Sequence, residues 1–207
     1  DITELKTLEQ IRIEFVENAS HELRTPLTSV KGFLDTLKED VASNRLEQLP
    51  YFLGVISKNV DRLTELVNDL LTLSSLESHS PLQKNVFDPH ALTLEMVERL
   101  APLADEKQIK IKIQSNVDTL CADEAKVEQV LQNLIGNAVK YIPASGEIQV
   151  FWELRGDRTV LRVVDNGPGI AEEHLPRLFE RFYRIDKDRS RDRGGTGLGL
   201  AIAKHIM

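Results

Sequence analysis

Apolar residues in the first third of the chain recur at helical spacing. From Leu23 to Val41, and again from Leu53 to Leu70, the intervals alternate between four and three residues, as along the contact line of helices packed side by side. This pattern predicts two long helices joined into a hairpin, the first running from about Asp1 to about Ala42. We call these apolar positions the seam: Leu23, Leu27, Val30, Leu34, Leu37 and Val41, then Leu53, Ile56, Val60, Leu63, Val67 and Leu70.

The turn between the two helices carries its own signals. Asn44, followed three residues later by Glu47, predicts a capping box at the start of the second helix, although Pro50 leaves that start open. The seam is also too wide for one hairpin to bury, because further leucines of the second helix extend it. We therefore expect two copies to pair into a four-helix bundle, that is, a homodimer.

The pattern changes near residue 80. Ser78-His79-Ser80-Pro81 has no apolar period and predicts a linker, which divides the chain into a helical hairpin (1–79) and a second domain (80–207). Helices and strands alternate there, with caps at Asp88 and Asp123 and a turn at Arg155–Arg158. Because the last two strands form a hairpin, we expect an α+β sandwich with a mixed sheet rather than a doubly wound parallel sheet.

Composition narrows the possible functions. The net charge of −7 and the isoelectric point near 5.3 argue against nucleic acid as a partner, since binding a phosphate backbone needs a basic face. Cys121 is the only cysteine and cannot form an internal disulfide; we expect it to fill a strand. The sequence contains no apolar run long enough for a membrane span and no Cys/His cluster with zinc-ligand spacing.

His21 is the most unusual residue of the first helix. At about 100° per residue it points away from the seam, towards solvent, and Thr25 shares its face one turn later. Glu22 is its neighbour, and Pro26 removes a helical hydrogen bond, so we expect a kink there. An isolated exposed histidine is usually only solvated, so this residue needs support from elsewhere in the chain.

Four segments of the second domain carry polar or glycine patterns. In the first, Asn133, Asn137 and Lys140 or Tyr141 follow one helix face. Amide oxygens suit Mg²⁺ and a lysine suits phosphate, whereas the alternative is an ordinary polar helix edge.

The second segment, Val164-Asp-Asn-Gly-Pro-Gly-Ile170, ends an apolar strand in a carboxylate followed by Gly167 and Gly169. Asp165, which we expect to be buried, can accept a hydrogen bond from an adenine amino group. Taken alone, the segment is only a turn signal.

The third and fourth segments lie near the end of the chain. Leu178–Arg184 leads into a highly charged run, in which Arg184 or Lys187 can reach phosphates. Gly194–Ala203 then places glycines directly before a helix, where free backbone N–H groups bind anions. Its glycine spacing fits neither the dinucleotide fingerprint nor a P-loop.

These motifs together resemble those of two-component sensor histidine kinases. Ser20-His-Glu-Leu-Arg-Thr-Pro-Leu27 is similar to the phosphoacceptor motif, and the four segments resemble the N, G1, F and G2 boxes of a Bergerat-type ATP-binding domain. The resemblance implies that His21 accepts the γ-phosphoryl group of ATP, that Asn137 binds Mg²⁺ and that Asp165 reads adenine. It also implies that the remaining nucleotide-binding residues are Asn133, Lys140, Tyr141, Gly167, Gly169, Arg184, Gly195, Thr196, Gly197, Leu198 and Gly199.

The resemblance to this family also implies binding partners and a cellular location. The phosphoryl group would pass to an aspartate of a response regulator, and Glu22-Leu-Arg-Thr25 resembles the pattern of members that also dephosphorylate their regulator. The details look like the phosphate-regulon branch. The resemblance places this chain in the cytoplasmic portion of an inner-membrane sensor and implies further strands after Met207, so that the ATP-binding domain would be C-terminally incomplete.

Two other functions compete with this interpretation. One is a non-catalytic dimeric scaffold in which ATP gates a clamp. The other is an ATPase of the same nucleotide fold that acts as a chaperone or repair switch. The motif around His21 disfavours both, because neither needs a phosphoacceptor.

Overall fold

The structure is a computed structural model of the 207-residue chain and describes residues 2–77, 81–185 and 195–207. Side chains are described from residue 9 onwards, residues 11 and 12 excepted. The described residues form two compact units, one within Asp1–Thr72 and Arg181–Leu198, the other within Leu73–Glu180 and Gly199–Met207. The predicted linker at 78–80 lies outside the described residues, so the boundary at 79/80 stays a prediction.

The first unit contains the predicted helical hairpin as far as Thr72. Helix α1 spans Ile2–Ala42 and runs through Pro26, and α2 spans Leu49–Glu77. The predicted capping box of Asn44 and Glu47 is wrong. Asn44 has a φ of 54° and ends α1 instead, with the N–H of Arg45 bonded to the carbonyl of Asp40 at 2.8 Å. Asparagine tolerates this left-handed conformation, so it terminates the first helix rather than starting the second.

One hairpin covers only half of the seam, as the sequence predicted. The half-buried members are Leu23, Val30 and Leu37 of α1 and Ile56, Leu63 and Leu70 of α2. The other half of the seam recurs every seven residues on both helices and is exposed in the single chain. Its members are Leu27, Leu34, Val41, Leu53, Val60 and Val67.

The second unit is the predicted α+β sandwich. Strands β1 (Lys84–Phe87) and β3 (Leu120–Asp123) pair antiparallel in a small sheet. A mixed sheet has the order β2-β4-β5, with β2 parallel to β4 and β4 antiparallel to β5. Its strands are β2 (Lys110–Ser115), β4 (Glu147–Arg155) and β5 (Arg158–Asp165). The helices are α3 (Pro89–Glu106), α4 (Glu124–Tyr141) and α5 (Gly199–Ile206), with a 3₁₀ helix at Glu172–Arg177 that the sequence did not predict.

The N-caps of α3 and α4 lie at the residues that the sequence predicted. The Asp88 carboxylate accepts from the N–H of His90 at 2.8 Å, and Asp123 caps α4 through the N–H of Lys126. Both carboxylates satisfy N–H groups that the first turn of a helix leaves free. Cys121 lies in β3 as expected, but its side chain is exposed rather than packed.

The core lies between the mixed sheet and its helices. Alternate residues of β4, namely Ile148, Val150 and Trp152, are buried, because successive side chains of a strand face opposite sides. They join Leu131 and Ile135 of α4, both fully buried, in one apolar cluster. The sheet thus carries its helices on one face, which fixes α4 and the end of β5 in a single unit.

We expect Thr93→Val to destabilise this unit. The fully buried Thr93 hydroxyl accepts from Trp152 Nε1 at 2.9 Å and donates to the carbonyl of Pro89 at 2.7 Å. Valine keeps the shape but leaves the buried N–H of Trp152 without an acceptor, at a cost of about 1–3 kcal/mol. The free energy of unfolding in urea measures the effect, with the exposed Thr119→Val as the matched control. Equal losses in both variants would contradict the role of this hydrogen bond.

Candidate functional site

His21 lies on the outside of the hairpin. Its side chain is exposed, as the helical spacing predicted, and the Thr25 hydroxyl donates to the His21 carbonyl at 3.2 Å. Pro26 is buried within the same turn and offers no N–H to the carbonyl of Glu22. An imidazole held on a rigid helix and open to solvent is available to a bulky reactant.

Glu22 reaches the second helix of the hairpin. Its Oε2 accepts from Nη2 of Arg62 at 2.8 Å, and both side chains are largely shielded from water. Arg184 lies in the same cluster, 8% exposed, with Nη1 3.9 Å from the same oxygen. Two guanidinium groups therefore fix the carboxylate of Glu22, the residue that follows His21 in the sequence. The nucleotide role of Arg184 stays a prediction, since the structure places this residue beside Glu22.

Residues 195–198, which we call the glycine segment, pack in the same unit as the hairpin. Thr196 is 4% exposed, and its hydroxyl donates to Oδ2 of Asp69 on α2 at 2.5 Å. Burial raises the pKa of the Asp69 carboxyl above its usual value, while the hydrogen bond from Thr196 opposes that rise. The glycine segment is thus tied to α2 by a shielded polar contact.

A backbone contact beside Thr196 explains why residue 197 is a glycine. Gly197 has a φ of 74°, and a Cβ there would come within 2.9 Å of the Phe182 backbone. The N–H of Phe182 donates to the Gly197 carbonyl at 2.9 Å, and the Phe182 ring lies 5.7 Å from that of Phe15 on α1. Only glycine fits this close approach.

Sequence reasoning missed Arg62, Asp69 and Phe15. Arg62 and Asp69 lie seven residues apart on α2 and so share a face, next to the seam positions Leu63 and Leu70. Charged residues beside an apolar stripe are the usual edge of a packed helix. The sequence held no signal that one pairs with Glu22 and the other with Thr196.

The polar face of α4 lies in the second unit. Asn133, Asn137 and Lys140 are half-buried, and Lys140 Nζ lies 5.5 Å from the centre of the Tyr141 ring. A Cβ at Gly199 would come 2.8 Å from Oδ1 of Asn133, so the start of α5 approaches this face closely. Nδ2 of Asn133 is buried and has no hydrogen-bond partner among the described residues. A buried donor without a partner can bind an oxygen atom of a ligand.

Asp165 ends β5 at a small cleft. The cleft has a volume of about 160 Å³ and is lined by Glu147, Gln149, Val164, Asp165 and Asn166. The expectation of a buried Asp165 is wrong, because the side chain is exposed at the edge of the sheet. Its Oδ1 accepts from the N–H of Gly167 at 2.8 Å, and Gly169 has a φ of 72°. The glycines thus turn the backbone around a fixed carboxylate.

The residues present suit a magnesium ion held jointly with a nucleotide. Among the described residues, no three His, Cys, Asp or Glu side chains form a metal site. Magnesium commonly takes only one or two protein ligands and completes its shell with phosphate oxygens and water. Asn137 offers one amide oxygen on the face where the Asn133 donor also lies. This donor set fits Mg²⁺ carried in with phosphates rather than a dedicated metal cage.

Two protein families match this chain. Residues 11–79 match the His Kinase A (phospho-acceptor) domain, and residues 122–207 match the histidine kinase-, DNA gyrase B-, and HSP90-like ATPase family. The first match contains His21 and the whole seam. The second contains α4, Asp165 and the glycine segment.

Curated relatives and solved structures agree with these matches. The phosphate regulon sensor protein PhoR of Pseudomonas aeruginosa is 39% identical over all of this chain and 47% of its own length. The sensor protein kinase WalK of Staphylococcus aureus is 38% identical over all of this chain and 50% of its own length. The crystal structure of full-length ShkA in complex with AMPPNP has a TM-score of 0.67 and 32% identity, over 96% of this chain and 40% of that one.

This chain therefore spans half the length of these curated relatives or less. Its sequence identity to the phosphate regulon sensor, 39%, is nearly equal to its identity to WalK, 38%. In the part of the chain that the structure describes, every helix is too short or too polar to cross a bilayer. The match to the first family contains the exposed histidine on the helical hairpin. The match to the second family contains the polar face of α4, the aspartate at the end of β5 and the glycine segment. The chain belongs to the two-component sensor histidine kinases.

Proposed function

We propose that this chain uses Mg-ATP to phosphorylate His21 and then passes the phosphoryl group to an aspartate of a response regulator. The observation that carries the proposal is the exposed imidazole on the outside of the hairpin, in a chain that also holds a nucleotide-type α+β domain. A buried histidine would have no access to the γ-phosphate of a bound nucleotide.

The chemistry is an in-line displacement. Nε2 of His21 attacks the γ-phosphorus, the bond from that phosphorus to the β–γ bridging oxygen breaks, and ADP leaves. Glu22 accepts the hydrogen bond from Nδ1 and so keeps the lone pair on Nε2. Arg62 supports this role by fixing the Glu22 carboxylate from the second helix. Positioning supplies most of the rate enhancement in such transfers.

The nucleotide binds residues of the predicted second domain (80–207). Asp165 accepts from the adenine amino group, and Asn133, Lys140, Tyr141 and Arg184 contact the nucleotide. The glycines at 167, 169, 195, 197 and 199, with Thr196 and Leu198, let the backbone approach the nucleotide closely. The unpartnered donor of Asn133 and the ATPase family match support this assignment, as does the AMPPNP that ShkA binds.

Magnesium accompanies ATP in this proposal. Asn137 holds it through the amide oxygen, and the ion offsets the negative charge of the phosphates during transfer. Lys140 lies three residues after Asn137 on α4 and adds a positive charge on the same helix face.

The chain acts as a homodimer. The exposed half of the seam recurs every seven residues on both helices, which is the spacing that a second hairpin would cover in a four-helix bundle. Leu27 is 60% exposed and Leu53 is 50% exposed in the single chain, and contiguous apolar stripes of this kind on a protein surface mark interaction sites. In this proposal the whole protein is anchored in the inner membrane, and this part of it lies on the cytoplasmic side.

The same protein removes the phosphoryl group from its regulator. Thr25 lies one turn from His21 and is exposed, so its hydroxyl can orient a water for attack on the aspartyl phosphate. The bond from this hydroxyl to the His21 carbonyl leaves the oxygen lone pairs available to that water. No covalent intermediate is needed.

We expect Thr25→Ala to separate the two activities. The variant keeps phosphorylation of His21 within a few-fold of the wild-type rate, because the kinase step does not use the hydroxyl. Dephosphorylation of the regulator slows by roughly ten-fold or more, the effect of a lost orienting hydrogen bond. The assay follows the decay of a prephosphorylated cognate regulator in the presence of ADP. Thr28→Ala, one turn further along α1 and likewise exposed, is the control. Equal decay rates for wild type and Thr25→Ala would remove Thr25 from this role.

Labelling with γ-labelled ATP tests the proposed function against its two rivals. An acid-labile label on the protein supports a histidine kinase. A scaffold or a chaperone-type ATPase would bind or hydrolyse ATP without retaining such a label.

A further inference from the structure

The glycine segment is held by an acid of the hairpin. Thr196 Oγ1 donates to Asp69 Oδ2 at 2.5 Å, and the N–H of Leu198 donates to Thr196 Oγ1 at 3.2 Å. Leu198 and Thr196 are both buried, so water does not compete freely for these bonds. The donors of the segment are therefore directed at each other and at one carboxylate.

These are the donors that a phosphate oxygen would also use. A hydroxyl and a backbone N–H just ahead of a helix form an anion site, and α5 begins at Gly199, the next residue after Leu198. A carboxylate is an anion with the same hydrogen-bonding character as a phosphate oxygen. Asp69 thus accepts the hydroxyl hydrogen bond that Thr196 would otherwise donate to a phosphate oxygen.

The contact between Thr196 and Asp69 is one of several in this unit. Phe182 bonds to the Gly197 backbone and packs its ring against Phe15 of α1, and the Arg181 guanidinium lies 5.1 Å from the same Phe15 ring. Arg184 reaches Glu22, next to His21. The glycine segment and its neighbour Phe182 are therefore docked on both helices of the hairpin.

We propose that Asp69 is an internal anion that competes with the phosphates of the nucleotide for the glycine segment, and so holds the chain in a resting, autoinhibited state. The inference rests on the proposed function, because it takes the glycine segment as phosphate-binding. A triphosphate brought to these donors meets the Asp69 carboxylate, and like charges in a shielded site repel strongly. Binding of nucleotide and docking on Asp69 therefore weaken each other by the same factor.

Calorimetry on the whole chain tests this competition. The ligands are Mg-AMPPNP, which carries phosphates, and adenosine, which carries none. The variants are Asp69→Ala, which removes the anion, and Asp69→Asn, which keeps its shape and loses its charge. The control is Asp61→Ala, an exposed acid two turns earlier on α2. Circular dichroism shows whether each variant is folded, and Asp69→Asn serves if Asp69→Ala is not.

Asp69→Ala lowers the Kd for Mg-AMPPNP by about five-fold or more, Asp69→Asn lowers it less, and Asp61→Ala leaves it unchanged. The Kd for adenosine stays the same in all variants. Binding of Mg-AMPPNP by folded Asp69→Ala within two-fold of the wild type overturns the inference, as does an equal gain for adenosine. If Asp69→Ala is not folded, an unchanged Kd of Asp69→Asn overturns it. If neither the wild type nor any variant binds Mg-AMPPNP, the proposed function itself fails, and the inference fails with it.

Discussion

His21→Gln abolishes incorporation of phosphate from γ-labelled ATP. Glutamine keeps a polar side chain of similar reach but has no imidazole nitrogen to act as nucleophile. The side chain at position 21 is exposed and points away from the seam, so the substitution leaves the helices and their packing unchanged. The measurement is phosphate retained on the protein after rapid removal of free nucleotide.

Two further measurements on this variant make the result specific. Light scattering should show the same mass for His21→Gln as for the wild type, and calorimetry the same affinity for ATP. His90→Gln is the matched control, since His90 is exposed on α3 of the other unit and should keep full labelling. A His21→Gln protein that loses its dimer would contradict the outward geometry, and one that retains label would place the acceptor elsewhere.

Asp165→Asn weakens binding of adenine nucleotides by roughly five- to a hundred-fold, which corresponds to about 1–3 kcal/mol. Asp165 is exposed at its cleft in the nucleotide-free chain, so the bound base itself must shield the contact from water. An amide in place of the carboxylate can turn its own N–H₂ towards the amino group of the base. A donor then meets a donor inside a shielded contact, and neither is satisfied.

Calorimetry with ATP and with guanosine triphosphate measures the loss and its selectivity. Asp157→Asn is the matched control, because Asp157 is exposed in the turn at the other end of the same β-hairpin. Unchanged affinity of Asp165→Asn for ATP would remove this carboxylate from the recognition of adenine. An equal loss in Asp157→Asn would show that the charge of the domain, not the position of the acid, governs binding.

Local signals predicted most of the fold. The alternating seam predicted both long helices, and the aspartate caps placed the starts of α3 and α4 at the residues where the structure has them. The turn at Arg155–Arg158 predicted the antiparallel pairing of β4 and β5. Each of these features depends on neighbours a few residues apart, which is the range over which caps, turns and periodicity act.

Long-range contacts were not predictable in the same way. Asp69 and Thr196 are separated by 127 positions, and Glu22 and Arg62 by 40. Nothing in the spacing around any of these residues indicates its partner. The exposure of Asp165 was also missed, because an apolar strand predicts burial for its body and not for its last residue. Asn44 was misassigned because the same residue type starts a helix and ends one.

The position of the phosphoryl group tests the central claim most directly. The wild-type chain is incubated with Mg²⁺ and γ-labelled ATP, digested, and its phosphorylated peptide identified by mass spectrometry under neutral or basic conditions. The account predicts one labelled peptide, with the phosphoryl group on His21, and loss of that label in acid. An acid-stable label on serine or threonine, or a label on another histidine, would contradict it.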